Sequence, residues 1–73
     1  MFKFEKHQEV IIKPEAYPNP LNPDAEVRGV ILWRCDNAEP DPFTGEELSY
    51  GVRITEGAPE RKIEFWESGL KAK

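Results

Sequence analysis

The sequence predicts an all-β fold, a small barrel of about five antiparallel strands joined by long loops. Short β-rich segments alternate with proline- and glycine-bearing segments along the whole chain. No window of ten or more residues carries an apolar stripe at helical period. Gly29 lies inside a β-rich run over residues 27–36, where a glycine marks a bend at which a small sheet curls on itself.

The 73 residues are predicted to form a single domain over residues 1–73. A domain of this size buries only about 60% of the surface that its unfolded chain exposes. Hydrophobic residues make up 38% and charged residues 33% of the chain, which leaves enough apolar side chains for a compact core.

The first half of the chain predicts two strands and one stiff loop. Residues 8–13 form a short β-rich run that ends at Pro14, which lacks the N–H that a continuing ladder needs. Four prolines between positions 14 and 23, including Asn19-Pro20 and Asn22-Pro23, predict a stiff loop. Residues 25–35 form the second strand, and strict alternation there places Trp33 on the same face as Ile31.

The second half predicts a long hairpin loop, two further strands and a helical turn. The loop over residues 37–47 is acidic and broken by prolines and a glycine. In residues 48–54 the apolar side chains alternate clearly, which is the best strand pattern in the chain. After a turn at 56–60, residues 61–66 return with Ile63 and Phe65 inward, and residues 67–70 resemble one tight helical turn that places Leu70 on the core.

Charge and cysteine content limit the possible partners and compartments. Fourteen acidic residues against ten basic ones give a net charge of -4, which disfavours a nucleic-acid backbone as the partner. The single Cys35 cannot form an internal disulfide and has no metal-ligand spacing to other residues, so we expect a reducing compartment and no metal or cofactor. No segment has the roughly 18 apolar residues of a membrane span. We expect a cytoplasmic protein.

The order of these features resembles the SH3-like small barrels. The shared pattern is an apolar first strand, a long loop, the step Gly29-Val30-Ile31, a variable hairpin, the strand Tyr50-Gly51-Val52-Arg53-Ile54 and a final turn with Glu67 and Leu70. Residues 10–17 are similar to the photosystem I subunit of the PsaE type and to the variable chain of ferredoxin–thioredoxin reductase, which implies a docking or stabilising subunit. Residues 29–42 are similar to the hemimethylated-DNA-binding family, which implies a nucleic-acid adaptor.

The candidate binding residues are aromatic side chains and the acidic loop. Trp66 follows inward-facing Phe65, so it points outward and is the leading contact residue. Trp33 serves either as a partner anchor or, the reading that its position on the Ile31 face favours, as part of the core. Tyr17 and Phe43 lie on loops and either bind a partner or cover the core, with a lid favoured for Phe43.

The acidic stretch that begins at the end of the second strand and runs through the acidic loop has no base among its acids, which are Asp36, Glu39, Asp41, Glu46 and Glu47. It is either a solvated loop or a docking surface for a basic partner. Its spacing does not match a calcium-binding loop, and no apolar cleft is evident to shift a carboxylate pKa for catalysis. Cys35 is expected to be a small buried apolar residue.

These observations favour a non-enzymatic protein-binding or docking module. The alternative is a small nucleic-acid-binding adaptor, which requires Arg28, Arg34, Arg53, Arg61 and Lys62 on one face. A domain this small has little room for both a core and a deep pocket, which argues against an enzyme.

Overall fold

The computed structural model describes residues 1–18 and 24–73 and confirms the all-β prediction. The strands are β1 (Glu9–Ile12), β2 (Val27–Asp36), β3 (Leu48–Glu56), β4 (Lys62–Trp66) and β5 (Leu70–Ala72). A 3-10 helix at Glu67–Gly69 joins β4 to β5, as the sequence predicts, and it is the only helix among the described residues. The two Asn-Pro steps of the predicted stiff loop lie outside the described residues.

All five strands belong to one antiparallel sheet with the order β4-β3-β2-β1-β5. In a flat sheet, β4 and β5 would be four strand spacings apart, about 19 Å. The chain from Trp66 to Leu70 has four Cα steps, which span at most roughly 14 Å. The sheet is therefore curled, and the 3-10 helix bridges its two outermost strands.

The core lies inside this curl and is built from alternate residues of the strands. On β3, Tyr50, Val52 and Ile54 are fully buried, as their alternation predicts. Phe65 of β4 and Leu70 of β5 face them, at 6% and 1% exposure. The remaining buried apolar side chains are Phe4, Val10, Ile12, Val27 and Ile31.

The N-terminal segment contributes a core residue that the sequence patterns do not reveal. Phe4 precedes β1 and belongs to no strand, yet it is 1% exposed and packs edge-to-face against Tyr50 with 5.3 Å between ring centroids. The segment is attached to β2, because the His7 N–H donates to the Ile31 carbonyl and the Ile31 N–H donates to the Gln8 carbonyl. His7 has a positive φ of 72°, which turns the chain into β1.

Strand β2 carries two register irregularities against β3, one at Arg28/Gly29 and one between Ile31 and Trp33. The first leaves Thr55 of β3 as the extra residue, because Arg28 lies opposite Glu56 and Gly29 lies opposite Ile54. The second leaves Leu32 as an extra residue, because Ile31 lies opposite Val52 and Trp33 lies opposite Gly51. The bulge turns Trp33 to the outer face. The expectation that Trp33 packs in the core with Ile31 is therefore wrong, and its side chain is 43% exposed.

Candidate functional site

An open groove of about 320 Å³ lies beside the end of β4 and the 3-10 helix. Three segments that are distant in sequence form its walls: the turn after β1, the acidic loop, and the end of β4 with the 3-10 helix. The lining residues are Glu15, Ala16, Asp41, Thr44, Glu46, Glu64, Phe65, Trp66, Ser68 and Gly69.

Strand β4 supplies the aromatic wall of the groove. Phe65 pairs with Tyr50 and faces the core, whereas Trp66 pairs with Ser49 and projects to the opposite face. This confirms the outward orientation predicted for Trp66 from the period of two. Its side chain is half-buried. Trp66 is thus a partly shielded wall rather than a freely exposed ring.

The turn after β1 forms a second wall and is fixed to the 3-10 helix. The Lys13 carbonyl accepts hydrogen bonds from the N–H groups of Ala16 and Tyr17, and the Lys13 N–H donates to the Gly69 carbonyl at 2.8 Å. Tyr17 is half-buried and packs edge-to-face on Phe65, with ring centroids 6.4 Å apart. Tyr17 therefore does not line the groove itself but packs against Phe65, which does.

The acidic loop forms the third wall through a hydrogen-bonded turn at residues 41–45. The Gly45 N–H donates to the Asp41 carbonyl, and the Asp41 carboxylate accepts from the Phe43 N–H at 3.0 Å and the Thr44 hydroxyl at 3.1 Å. Gly45 has a φ of 76°, which suits a glycine. These bonds give the loop a defined conformation at the groove.

Glu46 fastens the acidic loop to the 3-10 helix across the groove. One carboxylate oxygen accepts from the Ser68 N–H at 2.8 Å, and the other accepts from the Ser68 hydroxyl at 2.9 Å. At the base of the loop, the Asn37 N–H and side-chain amide both donate to the Glu47 carbonyl. The loop is therefore attached at its base and at its groove side.

Phe43 projects from this turn into solvent and is 94% exposed. The expectation that it covers the core is wrong, because almost the whole ring is open to solvent and it does not belong to the core cluster. Its neighbours Asp41 and Thr44 line the groove. Phe43 therefore lies at the rim of the groove, as an exposed ring on a hydrogen-bonded turn.

The electrostatics of the groove are one-sided. Among the described residues that line it, four are carboxylates and none is Lys, Arg or His: the acids are Glu15, Asp41, Glu46 and Glu64. Within the described residues, the side chains of Glu15 and Glu64 form no ion pair or hydrogen bond. In the same part of the chain, no group of three or more His, Cys, Asp or Glu side chains is arranged to hold a metal ion.

Several cations are paired away from the groove. Arg28 forms ion pairs with Glu26 at 2.5 Å and Glu56 at 3.7 Å, and the hydrogen bond and charge of Glu26 raise the Arg28 pKa. Arg34 pairs with Glu5 and lies over the Phe2 ring, 4.9 Å from its centroid. Both arginines that the nucleic-acid alternative requires from β2 are thus held by carboxylates.

The groove gathers only part of the predicted site. It brings together Trp66 and Asp41, with Tyr17 behind it and Phe43 at its rim. It does not include Trp33, which lies over Gly51, or the exposed Asp36 and Glu39.

Cys35 is partly buried, and its thiol donates to the Asn37 side-chain oxygen at 3.4 Å, so the expectation of a fully buried apolar residue is wrong. It lies in register with Ser49 on the outer face of β2, where the core does not enclose it.

Three residues of the groove were not predicted from the sequence, because no strand or loop pattern singles them out. Glu15, Ser68 and Gly69 are ordinary in composition, and they meet only because the 3-10 helix folds against the turn after β1. Glu64 carried a usable signal, since the period of two that turns Trp66 outward turns Glu64 outward as well.

Comparisons of this chain with protein-family models, with curated proteins and with solved structures give no match. In the described residues no helix has the length and apolar character that a bilayer crossing requires.

Proposed function

We propose that this protein is a non-enzymatic protein-binding module that docks through the groove and the adjoining turn at residues 41–46. The observation that carries the proposal is that Phe43, at 94% exposure, stands beside a groove walled by Trp66. Aromatic residues at the centre of an interface supply much of its binding energy.

The hydrogen-bonded order of the acidic loop in the free domain supports the proposal. The acidic loop is held by the hydrogen bonds of Asp41, by the Glu46–Ser68 contacts and by Asn37. A loop that is already ordered loses little conformational entropy when it binds. Phe43 contributes little to the stability of the free domain, because its side chain is almost entirely exposed to solvent. A partner that covers the ring gives that exposure a physical reason.

Two further parts of the proposal concern family and compartment. We propose that the domain belongs to the SH3-like small barrels. The curled antiparallel sheet, in which β1 lies between β2 and β5, supports this proposal. We also propose a cytoplasmic location, because a chain with one partly buried thiol and no disulfide suits a reducing compartment.

Photo-crosslinking tests the docking face directly. Phe43 is replaced by the photoreactive aromatic residue p-benzoylphenylalanine, and the protein is irradiated in cells of its source. The matched control carries the same residue at Glu60, which is exposed in the turn between β3 and β4. We expect a discrete crosslinked protein from position 43 that is absent from position 60. The captured protein, once purified, should bind the wild-type chain more tightly than it binds Phe43→Ala.

Identical products from both positions, or no protein product from position 43, would overturn the proposed docking face. Crosslinks to nucleic acid, together with retention on duplex DNA at about 150 mM salt that falls steeply as salt rises, would favour the adaptor alternative instead.

A further inference from the structure

We infer that the groove accepts an extended, basic segment of a partner protein and places a Lys or Arg side chain against Trp66 between the carboxylates. This inference rests on the proposed function and adds the chemical class of the partner. The groove volume and its aromatic wall provide the binding surface, and the carboxylates select the charge of the occupant.

The size of the groove suits side chains of a peptide rather than a whole folded surface. Its volume of about 320 Å³ is at the lower end of the range for ligand pockets, roughly 300 to 1,000 Å³. Its apolar lining comes from Ala16, Phe65 and Trp66, and polar and acidic side chains make up most of the rest. A Lys or Arg side chain has the same division, because its methylene stem packs on apolar surface while its head stays polar.

The position of the unpaired charges favours a cation. Glu15 stands on the turn after β1, and Glu64 stands on β4 one residue before the groove aromatics. Neither carboxylate has a cationic partner within residues 1–18 and 24–73. A cation over an indole ring is attracted electrostatically by the face of the ring. The same side chain in this groove also meets the field of the four carboxylates.

A second copy of this chain is a poor occupant for the same reason. The chain carries a net charge of -4, and the turn that presents Phe43 lies among Asp41, Glu46 and Glu47. Inserting that turn into the groove of another copy would bring like charges together, which is unfavourable at close range. The groove therefore favours a partner of opposite charge.

Peptide titration tests this inference with defined probes. Four acetylated and amidated seven-residue peptides share the same flanking residues and differ only in a central tripeptide: Arg-Lys-Arg, three Gln, three Glu or Leu-Val-Leu. Binding is followed by two-dimensional ¹⁵N–¹H NMR. We expect only the Arg-Lys-Arg peptide to shift signals of residues 15–16, 41–46 and 64–69 and the Trp66 indole N–H. The affinity should fall as salt is raised, because the attraction is screened.

Charge-neutralising variants locate the effect. Glu15→Gln/Glu64→Gln should weaken Arg-Lys-Arg binding by about 3- to 10-fold, from two exposed charge pairs. The control Asp24→Asn/Glu60→Gln changes the net charge by the same amount at exposed positions outside the groove, and it should retain the wild-type affinity. Trp66→Leu keeps an apolar wall but removes the ring, and it should weaken binding by about 2- to 5-fold.

Each alternative result overturns the inference. Equal weakening by the two double variants would mean that net charge alone attracts the peptide. Binding of the Gln or Leu-Val-Leu peptide in preference to Arg-Lys-Arg would retain a docking groove with a different partner class. Absence of any shift in the groove, combined with a specific protein crosslink at position 43, would reject the basic segment and leave the docking module intact. Absence of both would reject the two proposals together.

Discussion

The phenol of Tyr50 donates a hydrogen bond to the carboxylate of Glu67 and joins the first half of β3 to the 3-10 helix. The same phenol oxygen accepts from the backbone N–H groups of Lys3 at 2.9 Å and Phe4 at 3.3 Å. One buried side chain thereby connects three parts of the chain: the N-terminal segment, strand β3 and the helix that borders the groove.

Replacing Tyr50 with Phe should destabilise the domain by about 1–3 kcal/mol, because the buried Phe4 N–H loses its acceptor and Lys3 and Glu67 each lose one hydrogen bond. Chemical denaturation measures the change in the free energy of unfolding. The control is Tyr17→Phe, whose hydroxyl forms no hydrogen bond within the described residues, and its stability should stay within about 0.5 kcal/mol of wild type. Equal effects of the two variants would contradict the role of the Tyr50 hydroxyl.

The same contact predicts a loss of stability in alkaline solution. Burial, followed by the hydrogen bond to Glu67, raises the pKa of Tyr50 above its ordinary value of 10.0. The unfolded chain therefore loses the phenolic proton at a lower pH than the folded chain does. The protonated Tyr50 phenol therefore stabilises the folded state fully below pH 10.0. This contribution is lost as the pH rises through the raised pKa of Tyr50 in the folded state.

Unfolding measured from neutral pH to above pH 10 checks this expectation. Wild-type stability should fall more steeply with pH in the alkaline range than that of Tyr50→Phe, which has no phenolic proton at this position. Identical pH profiles for the two proteins would contradict the raised pKa.

A third prediction concerns Gly51, whose missing side chain leaves room for the indole of Trp33. A Cβ on Gly51 would overlap carbon atoms of the Trp33 ring. Gly51→Ala should therefore displace the ring into solvent, lower the melting temperature and shift the tryptophan fluorescence to longer wavelength.

The double variant Gly51→Ala/Trp33→Ala separates this clash from other effects. With the ring removed, the alanine at position 51 has space, so the double variant should lose less stability than the sum of the two single variants. Strict additivity would show that Gly51 is required for a reason other than the approach of Trp33.

The position of Phe43 gives the fourth prediction. Phe43→Ala should leave the free energy of unfolding within about 0.5 kcal/mol of wild type, because the ring contacts solvent. Phe65→Ala, by comparison, removes a ring that is 6% exposed and should cost about 3–5 kcal/mol. A large loss from Phe43→Ala would show that the ring covers the core, as its loop position first indicated.

The alternation of apolar residues determined the strands that follow a simple period. In β3 and β4 the inward set of Tyr50, Val52, Ile54 and Phe65 is evident from the sequence, and the outward direction of Trp66 follows from the same count. Local chemistry also determined the long loop between β2 and β3 and the helical turn before Leu70. In each case the signal lies within a few residues of the element it predicts.

Tertiary structure decided the features that depend on counts across strands or on distant segments. The bulge at Leu32 reverses the face of Trp33, and it exists only in relation to the register with β3. The burial of Phe4 depends on contact with Tyr50, 46 residues further along the chain.

The groove likewise forms because a curled sheet brings the turn after β1, the acidic loop and the 3-10 helix to one place. Each of these segments is polar and short, so its own sequence does not predict which distant segments it contacts in the fold. The sequence alone supplied the aromatic and acidic side chains, and only the tertiary structure brought Trp66 and Asp41 into one groove.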